Sequence, residues 1–230
     1  MISDSTKSYY SQKLSAEKLK LCYKIAPPRV KQYLEAEIEF ILEKINPSDR
    51  LLELGCGYGR ALLRLLKKTK TIIGIDTSYP SLLLAKEILP EAPACYLLAM
   101  DAVNLGFGDQ LFDKVFCIQN GISAFGVDQR KLIEEALRVT RSGGKVFISS
   151  YSEKFWEDRL EWFRIQANYR LIGEIDEKST GDGVIVCKDG FKATTVSPDN
   201  FLDLAAQLDI VPTITEVDGS SIFCEIQVKS

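Results

Sequence analysis

Apolar residues recur at helical spacing over the first 46 residues. Leu14, Leu19, Cys22 and Tyr23 fall roughly on one face, and after Pro27-Pro28 a longer stripe runs Val30, Leu34, Ile38, Ile41, Leu42 and Ile45. The pattern predicts two helices, the second with Pro28 in its first turn, where a missing N–H costs nothing, and ended by Asn46-Pro47. From Arg50 onward short apolar runs alternate with helical stripes. Runs at 51–54, 71–76, 94–99, 111–118 and 145–150, the last ending at Tyr151, read as buried strands. Stripes at 62–66, at 81–89 (stopped by Pro90 and Pro93) and from Asp128 through Leu137 read as the helices between them, Arg141-Ser142-Gly143-Gly144 closing the last. This alternation predicts an α/β, doubly wound parallel sheet.

After Tyr151 the period changes. An aromatic helix (Phe155, Trp156, Trp162, Phe163) is followed by strand patterns near 171–175, 184–188 and 191–196, with Asp189-Gly190 as a hairpin signal between the last two. Ser197-Pro198 opens a final helix through Leu208, and strands at 212–217 and 221–229 close the chain. The organisation expected is one domain: an N-terminal helical segment at 1–47, a core at 48–150, an inserted cap at 151–197, and a closing helix and two strands at 198–230.

The densest chemical signal lies at the first strand–helix junction, Glu53-Leu54-Gly55-Cys56-Gly57-Tyr58-Gly59. Alternating glycines permit positive φ and close approach of the backbone to a ligand. The N–H groups opening the next helix favour an anionic group. The dinucleotide fingerprint has its third glycine one residue later and its acid about 20 residues further on, whereas here Glu53 precedes the turn.

This stretch resembles the nucleotide-binding turn of class I S-adenosylmethionine-dependent methyltransferases, and further residues carry the likeness. The resemblance implies that Glu53 helps hold the glycine loop and the methionine end of S-adenosyl-L-methionine, and that Gly55, Gly57 and Gly59 form the loop beneath it. It implies that Asp76, beside Thr77 at the end of the second strand, takes the ribose hydroxyls; capping by Thr77 and Ser78 leaves Asp76 free of that task. Asp101 would meet the adenine amino group and the Ala102 backbone the ring, although Asp101 also suits a strand-end cap. Phe112-Asp113-x-Val115 is a frequent family signature, and the strand exit Gln119-Asn120-Gly121 should face the methyl group, or form a plain turn. Ser142 stands where relatives often carry proline. The Asn/Asp-Pro-Pro-Tyr/Phe motif of many amino-directed DNA methyltransferases is absent.

The fold so implied is a mostly parallel seven-stranded Rossmann-like sheet with an antiparallel end, N-terminal helices and a small inserted cap. The reaction implied is in-line transfer of the methyl group to a small-molecule acceptor, with Asn120 and Tyr151 orienting the acceptor, Gln119 counted among the cofactor-binding residues and also a candidate for orienting the acceptor, and Tyr10 and Trp156 in the substrate region. Tyr9 and Tyr10 either lie over the cofactor or substrate or pack on the first helix. A protein or RNA methyltransferase and a non-catalytic cofactor-binding subunit are the alternatives.

Composition narrows the chemistry. No histidine occurs in the 230 residues, which excludes a Ser-His-Asp triad and His-ligated metal. Tyr151 would act as a base only with a pKa well below about 10, which nothing in the sequence suggests. A net charge of -3 and a pI near 5.3 supply no global attraction for nucleic acid. The six cysteines are scattered singly, the N-terminal residues lack a signal-peptide core, and no apolar run reaches membrane-spanning length. A cytoplasmic protein, monomeric or homodimeric, with no metal, membrane or nucleic-acid partner is the expectation.

Overall fold

The computed structural model describes residues 9, 13–89 and 95–229. Two helices, α1 (Glu17–Lys24) and α2 (Pro28–Lys44), precede the alternating unit: β1 (Arg50–Leu54), α3 (Arg60–Leu65), β2 (Thr71–Asp76), α4 (Tyr79–Ile88), β3 (Cys95–Ala99) and β4 (Phe112–Cys117). A single turn, α5 (Gly121–Ala124), leads to α6 (Gln129–Val139) and β5 (Thr140–Tyr151). The segment expected to form a cap follows as α7 (Trp156–Asn168) and a hairpin of β6 (Ile185–Val186) and β7 (Lys192–Ala193). Then α8 (Pro198–Ala206), β8 (Thr213–Val217) and β9 (Ser221–Gln227) complete the chain.

The main sheet has the order β3-β2-β1-β4-β5-β9-β8. Strands β3 to β5 pair in parallel, and β9 pairs antiparallel with both β5 and β8. This is the seven-stranded sheet with an antiparallel end that the sequence predicts. Because side chains alternate across a strand, β1 feeds two cores. Leu52 and Leu54 join Val115, Val146 and Ile148 beneath α6 and α8. Leu51 joins Phe116 and Phe147 on the opposite face, beneath α2 and α3. Burial of each such side chain contributes about 1.5–3 kcal/mol, and burial on both faces fixes the register, since a one-residue slip would exchange the two sets.

A third apolar cluster lies beyond the sheet. Cys22, Val30 and Tyr33 from the N-terminal helices pack with Phe155, Trp162 and Phe163 from the cap. The N-terminal segment and the cap are thus held together over the carboxyl ends of the parallel strands, where an open α/β sheet binds its ligands.

Two predicted elements differ. Residues 141–144 belong to β5 rather than to a helix terminus. Gly144 makes this possible, because a Cβ there would stand 2.7 Å from the Asp113 carbonyl oxygen. Val228 N–H donates to Gly144 O at 3.0 Å, and Gly143 N–H to Val228 O at 3.0 Å, so the extension pairs past the end of β9. Residues 171–175 form no strand. Leu171 and Ile172 are both buried instead of alternating, and only a single bridge, Ile175 to Cys187, reaches the hairpin. The helix caps are placed as expected: Ser78 accepts from Ser81 N–H, and Asp128 accepts from the Arg130 and Lys131 N–H groups. Pro90 and Pro93, expected to stop α4, lie outside the described residues. No described helix is long and apolar enough to cross a membrane.

Candidate active site

The turn after β1 is sewn to the exit of β2. Gly55 and Cys56 N–H both donate to Ile75 O at 2.9 Å, and Gly57 N–H donates to Asp76 Oδ2 at 2.9 Å. Gly55, Gly57 and Gly59 have φ of 76°, 54° and 83°, the left-handed region that glycine enters without steric cost. Their duties differ. Gly55 and Gly57 line a cavity of about 140 Å³. Gly59, by contrast, starts α3, and a Cβ on it would meet Leu89 and Ala85 at 3.1–3.3 Å. Gly59 therefore serves helix packing and does not face the cavity.

One wall of the cavity carries the other residues expected at the cofactor: Asp76, Thr77, Asp101, Ala102 and Gln119. Asp76 Oδ1 accepts from Ser78 N–H at 2.7 Å while Oδ2 holds Gly57, so this carboxylate also organises both binding turns. Burial raises its pKa against the pull of those backbone N–H groups. Asp101 Oδ1 accepts from Val103 N–H at 3.1 Å, which leaves Oδ2 outside that turn.

A smaller cavity of about 40 Å³ adjoins the first and is lined by Glu53, Cys56, Tyr58 and Arg60 together with Gly55 and Gly57. Glu53 is 4% exposed, and its Oε2 has no hydrogen-bond partner. Burial pushes its pKa up to about 8, with the opposing influence of Arg60 and a further upward push from Asp76. Arg60 donates from Nη1 to Glu35 at 3.1 Å and from Nη2 to the Leu34 carbonyl at 3.2 Å, while its buried Nε has no partner. A carboxylate oxygen and a guanidinium N–H, both unsatisfied in one small cavity, match the ammonium and carboxylate of an α-amino acid. The residues present thus fit the methionine end of S-adenosylmethionine. Arg60 was legible in principle: a cation at the first position of a helix opposes the dipole, and such a misplacement points to a ligand.

The exit of β4 carries consecutive non-glycine residues in the left-handed region, Gln119 (φ 58°) and Asn120 (φ 59°). Four contacts hold them. Gln119 N–H donates to Glu37 Oε2 at 2.5 Å, and Tyr23 OH donates to Gln119 Oε1 at 3.1 Å. Asn120 Nδ2 donates to Thr194 O at 2.9 Å, and Ser150 Oγ donates to Asn120 Oδ1 at 2.8 Å. Asn120, expected to orient an acceptor, lines the cavity but has both ends of its amide engaged within the protein. These contacts also tie residue 194 to the end of β4.

The opposite wall is aromatic. Tyr23, Tyr33, Tyr151, Trp162 and Phe163 line it, with Gln166 and Lys192 as its polar members. Tyr151 is where the sequence places it, but burial raises its pKa, although Arg159 lies 4.4 Å over its ring and opposes the shift. Trp156 does not line the cavity. It begins α7 six residues before Trp162, about 9 Å along the helix axis, and Arg159 lies 5.8 Å over its ring. Trp162 takes the place expected of it, anchored by Nε1 donating to Cys22 O at 3.0 Å. Tyr9 packs on the hairpin, its hydroxyl donating to Asp189 at 2.7 Å and its ring 4.8 Å from Phe191. Tyr10 lies outside the described residues.

Residues 51–144 match the family model described as a methyltransferase domain. The chain is 27% identical over 149 residues to the 2-methyl-6-phytyl-1,4-hydroquinone methyltransferase of Synechocystis, across 57% of this chain and 46% of that protein. It is 31% identical over 150 residues to an uncharacterised protein of Methanocaldococcus jannaschii, across 62% of this chain and 67% of that one. A third relative is the Probable tRNA methyltransferase 9B of Bos taurus, 30% identical over 123 residues, 53% of this chain and 24% of that protein. The chain spans less than half the length of the first of these relatives. The crystal structure of the N-methyltransferase NodS from Bradyrhizobium japonicum, in complex with S-adenosyl-L-homocysteine, shares the fold, with a TM-score of 0.61 at 14% identity over 95% of this chain and 96% of that one. With its glycine turn, its strand-end acids, its sheet order and these relatives, the chain belongs to the class I S-adenosylmethionine-dependent methyltransferases, with S-adenosylmethionine as its cofactor.

Proposed function

We propose that the chain transfers the methyl group of S-adenosylmethionine to a small-molecule acceptor bound beneath the cap at 151–197. The observation that carries this reading is a single cavity lined both by Gly57, Asp76 and Asp101, which follow or end β1, β2 and β3, and by Tyr33, Tyr151 and Trp162 from α2, β5 and α7. The Synechocystis relative, named for a phytyl-substituted hydroquinone, supports an organic small-molecule acceptor. The match to a tRNA methyltransferase supports RNA as the second reading, but a net charge of -3 supplies no general pull on a polyanion.

Bound cofactor supplies an electrophilic methyl group on a sulfonium, so the chain itself needs chiefly to orient the acceptor and exclude water. Orientation alone lowers a barrier by up to about 7–11 kcal/mol. The Glu37, Tyr23, Ser150 and Thr194 contacts fix the backbone at Gln119 and Asn120, so the floor of the site is preorganised. Asp76, Asp101 and the Glu53–Arg60 cavity hold the cofactor equally before and during transfer, and such uniform binding governs KM rather than kcat.

The test is to incubate the protein with methyl-labelled S-adenosylmethionine and, separately, a metabolite fraction, tRNA and a protein fraction. Label is expected in metabolites; label confined to tRNA or protein would overturn the acceptor class, and binding without label anywhere would leave a non-catalytic subunit. Once an acceptor is in hand, Trp162→Ala should raise its KM about tenfold or more while S-adenosylhomocysteine affinity changes less than threefold, since a buried aromatic contributes a few kcal/mol to what it packs against. Trp156→Ala, off the cavity, should change neither by more than threefold. Equal effects of the two substitutions, measured by steady-state kinetics, would mean the cap supports the fold without selecting the acceptor.

A further inference from the structure

The aromatic wall of the main cavity holds one buried amide that the protein leaves unpaired. Gln166 is 3% exposed and lines the cavity, yet its Nε2 has no hydrogen-bond partner. It lies on α7 one turn after Trp162 and Phe163, which line the same cavity, because residues three and four apart share a helix face. A leucine or methionine would fill this place with no polar group to desolvate, whereas a buried N–H left unpaired carries the full desolvation penalty. A hydrogen-bond acceptor arriving with the substrate would remove that penalty.

A cation stands on the same stretch of wall. Lys192 opens β7, is exposed and lines the cavity, and it makes no ion pair among the described residues. Two contacts place it. Phe191, the preceding residue, packs on Phe163 with ring centroids 5.9 Å apart, one helical turn before Gln166. Thr194, two residues later, accepts from Asn120 Nδ2 at 2.9 Å, which fixes the hairpin to the β4 exit. Charges around the cavity are thus segregated. Its carboxylates, Asp76 and Asp101, are the cofactor residues at the ends of β2 and β3, whereas Lys192 is the one cation among the described residues that line it.

We propose that Gln166 and Lys192 form a carboxylate subsite, and that the acceptor is a planar aromatic carboxylate. This rests on the methyltransferase reading above. Gln166 Nε2 donates to one carboxylate oxygen in the enclosed part of the cavity, and Lys192 pairs with the same group from the rim. Tyr151, Trp162 and Phe163 take the ring, for which aromatic faces and edges are suited. One neutral amide and one ammonium match the single charge of a carboxylate and fall short of a phosphate dianion. A cationic amine would meet Lys192 as a like charge, with no carboxylate among the described residues of this wall to offset it. The subsite holds the acceptor before and during transfer alike, so it governs KM and the choice of acceptor rather than kcat.

The experiment compares 4-hydroxybenzoate with hydroquinone, two flat para-substituted phenols that differ in one carboxylate. Full-length protein saturated with S-adenosylhomocysteine is titrated with each by calorimetry at neutral pH, where only the first is an anion. Wild type should bind 4-hydroxybenzoate at least about tenfold more tightly, as one charge-assisted hydrogen bond implies. Gln166→Leu and Lys192→Met should each bring that preference below about threefold and leave hydroquinone affinity within about threefold of wild type, and Lys192→Arg should keep the preference. Salt separates the two residues: the contribution of exposed Lys192 should fade between about 0.05 and 0.5 M sodium chloride, whereas that of buried Gln166 should persist. Equal affinity for the two phenols in wild type, tighter binding of hydroquinone, failure of both to bind, or an equal loss of both in the variants overturns the proposal. S-adenosylhomocysteine binding, measured first, tests the cofactor assignment separately: binding with no preference for 4-hydroxybenzoate defeats the subsite alone, and no binding defeats the methyltransferase reading as well.

Discussion

Gly57→Val should abolish measurable binding of S-adenosylhomocysteine while leaving the domain folded. Gly57 sits at φ 54°, a conformation in which a β-branched residue pays on the order of 1–3 kcal/mol. Relief of that strain would turn the Gly57 N–H away from Asp76 Oδ2, to which it donates at 2.9 Å, and so separate the two binding turns. If the backbone instead holds, a Cβ stands 3.2 Å from Leu19 Cδ2 and the two methyl groups of valine enter the cavity beside Asp76. Either outcome removes the site. The cores on the two faces of the sheet do not include this residue, so circular dichroism should show a native spectrum. Gly59→Ala supplies the contrast. At φ 83° it is strained too, but its Cβ would face Leu89 and Ala85, so it should lower the melting temperature and leave S-adenosylhomocysteine affinity within about threefold of wild type. Calorimetry that found near-normal affinity in Gly57→Val would refute the role of the turn.

How much of this was readable from the chain depends on whether a residue's task is local. The glycine turn, Asp76 and Asp101 were legible because strand ends and tight turns are written in short stretches, and the topology of an α/β sheet brings those ends to one edge. The termini of α6 and α8 were legible for the same reason, through Asp128 and the Ser197–Asn200 capping box. The aromatic wall was not. Trp162 reaches the cavity because Cys22, 140 residues away, accepts its Nε1–H, and nothing within α7 distinguishes its face from that of Trp156. Asn120 lines the cavity as expected, but its protein partners were hidden for a related reason. A polar amide at a strand exit reads as a ligand-facing group, yet its partners, Ser150 and Thr194, lie 30 and 74 residues further along. Glu37 lies next to Ile38 in the apolar stripe of α2 and carries no signal of its own in the sequence. Only packing shows it to be buried, beside the β4 exit.

The second large effect concerns protons. Binding of S-adenosylhomocysteine should release close to one proton at pH 7, and Glu53→Gln should eliminate the release. In the free protein the Glu53 carboxyl, pushed up to about 8, is mostly neutral at pH 7. An ammonium group placed at its unsatisfied Oε2 favours the ionised form and draws the pKa down. The affinity of the wild-type protein should therefore climb as pH rises toward 8, by up to about tenfold per unit, and level above it, because below 8 part of the binding free energy goes into removing the proton. Stability of the free protein has the opposite slope. The folded carboxyl has a higher pKa than the unfolded one, so the native state binds more protons between about 4.5 and 8. Its contribution to stability is fully present below that window and is lost as pH rises through it, by up to about 1.4 kcal/mol per unit of pH. Glu53→Gln, which carries no such group, should melt higher than wild type at pH 8 and bind the ligand more weakly there. A gain in stability joined to a loss of affinity is what a group held in a costly state for its ligand produces. Titration calorimetry in two buffers of different ionisation enthalpy gives the proton count directly. Equal heats in both, together with an affinity in Glu53→Gln that matches wild type from pH 6 to 8, would show that Glu53 braces the glycine turn and does not meet the amino group of the cofactor.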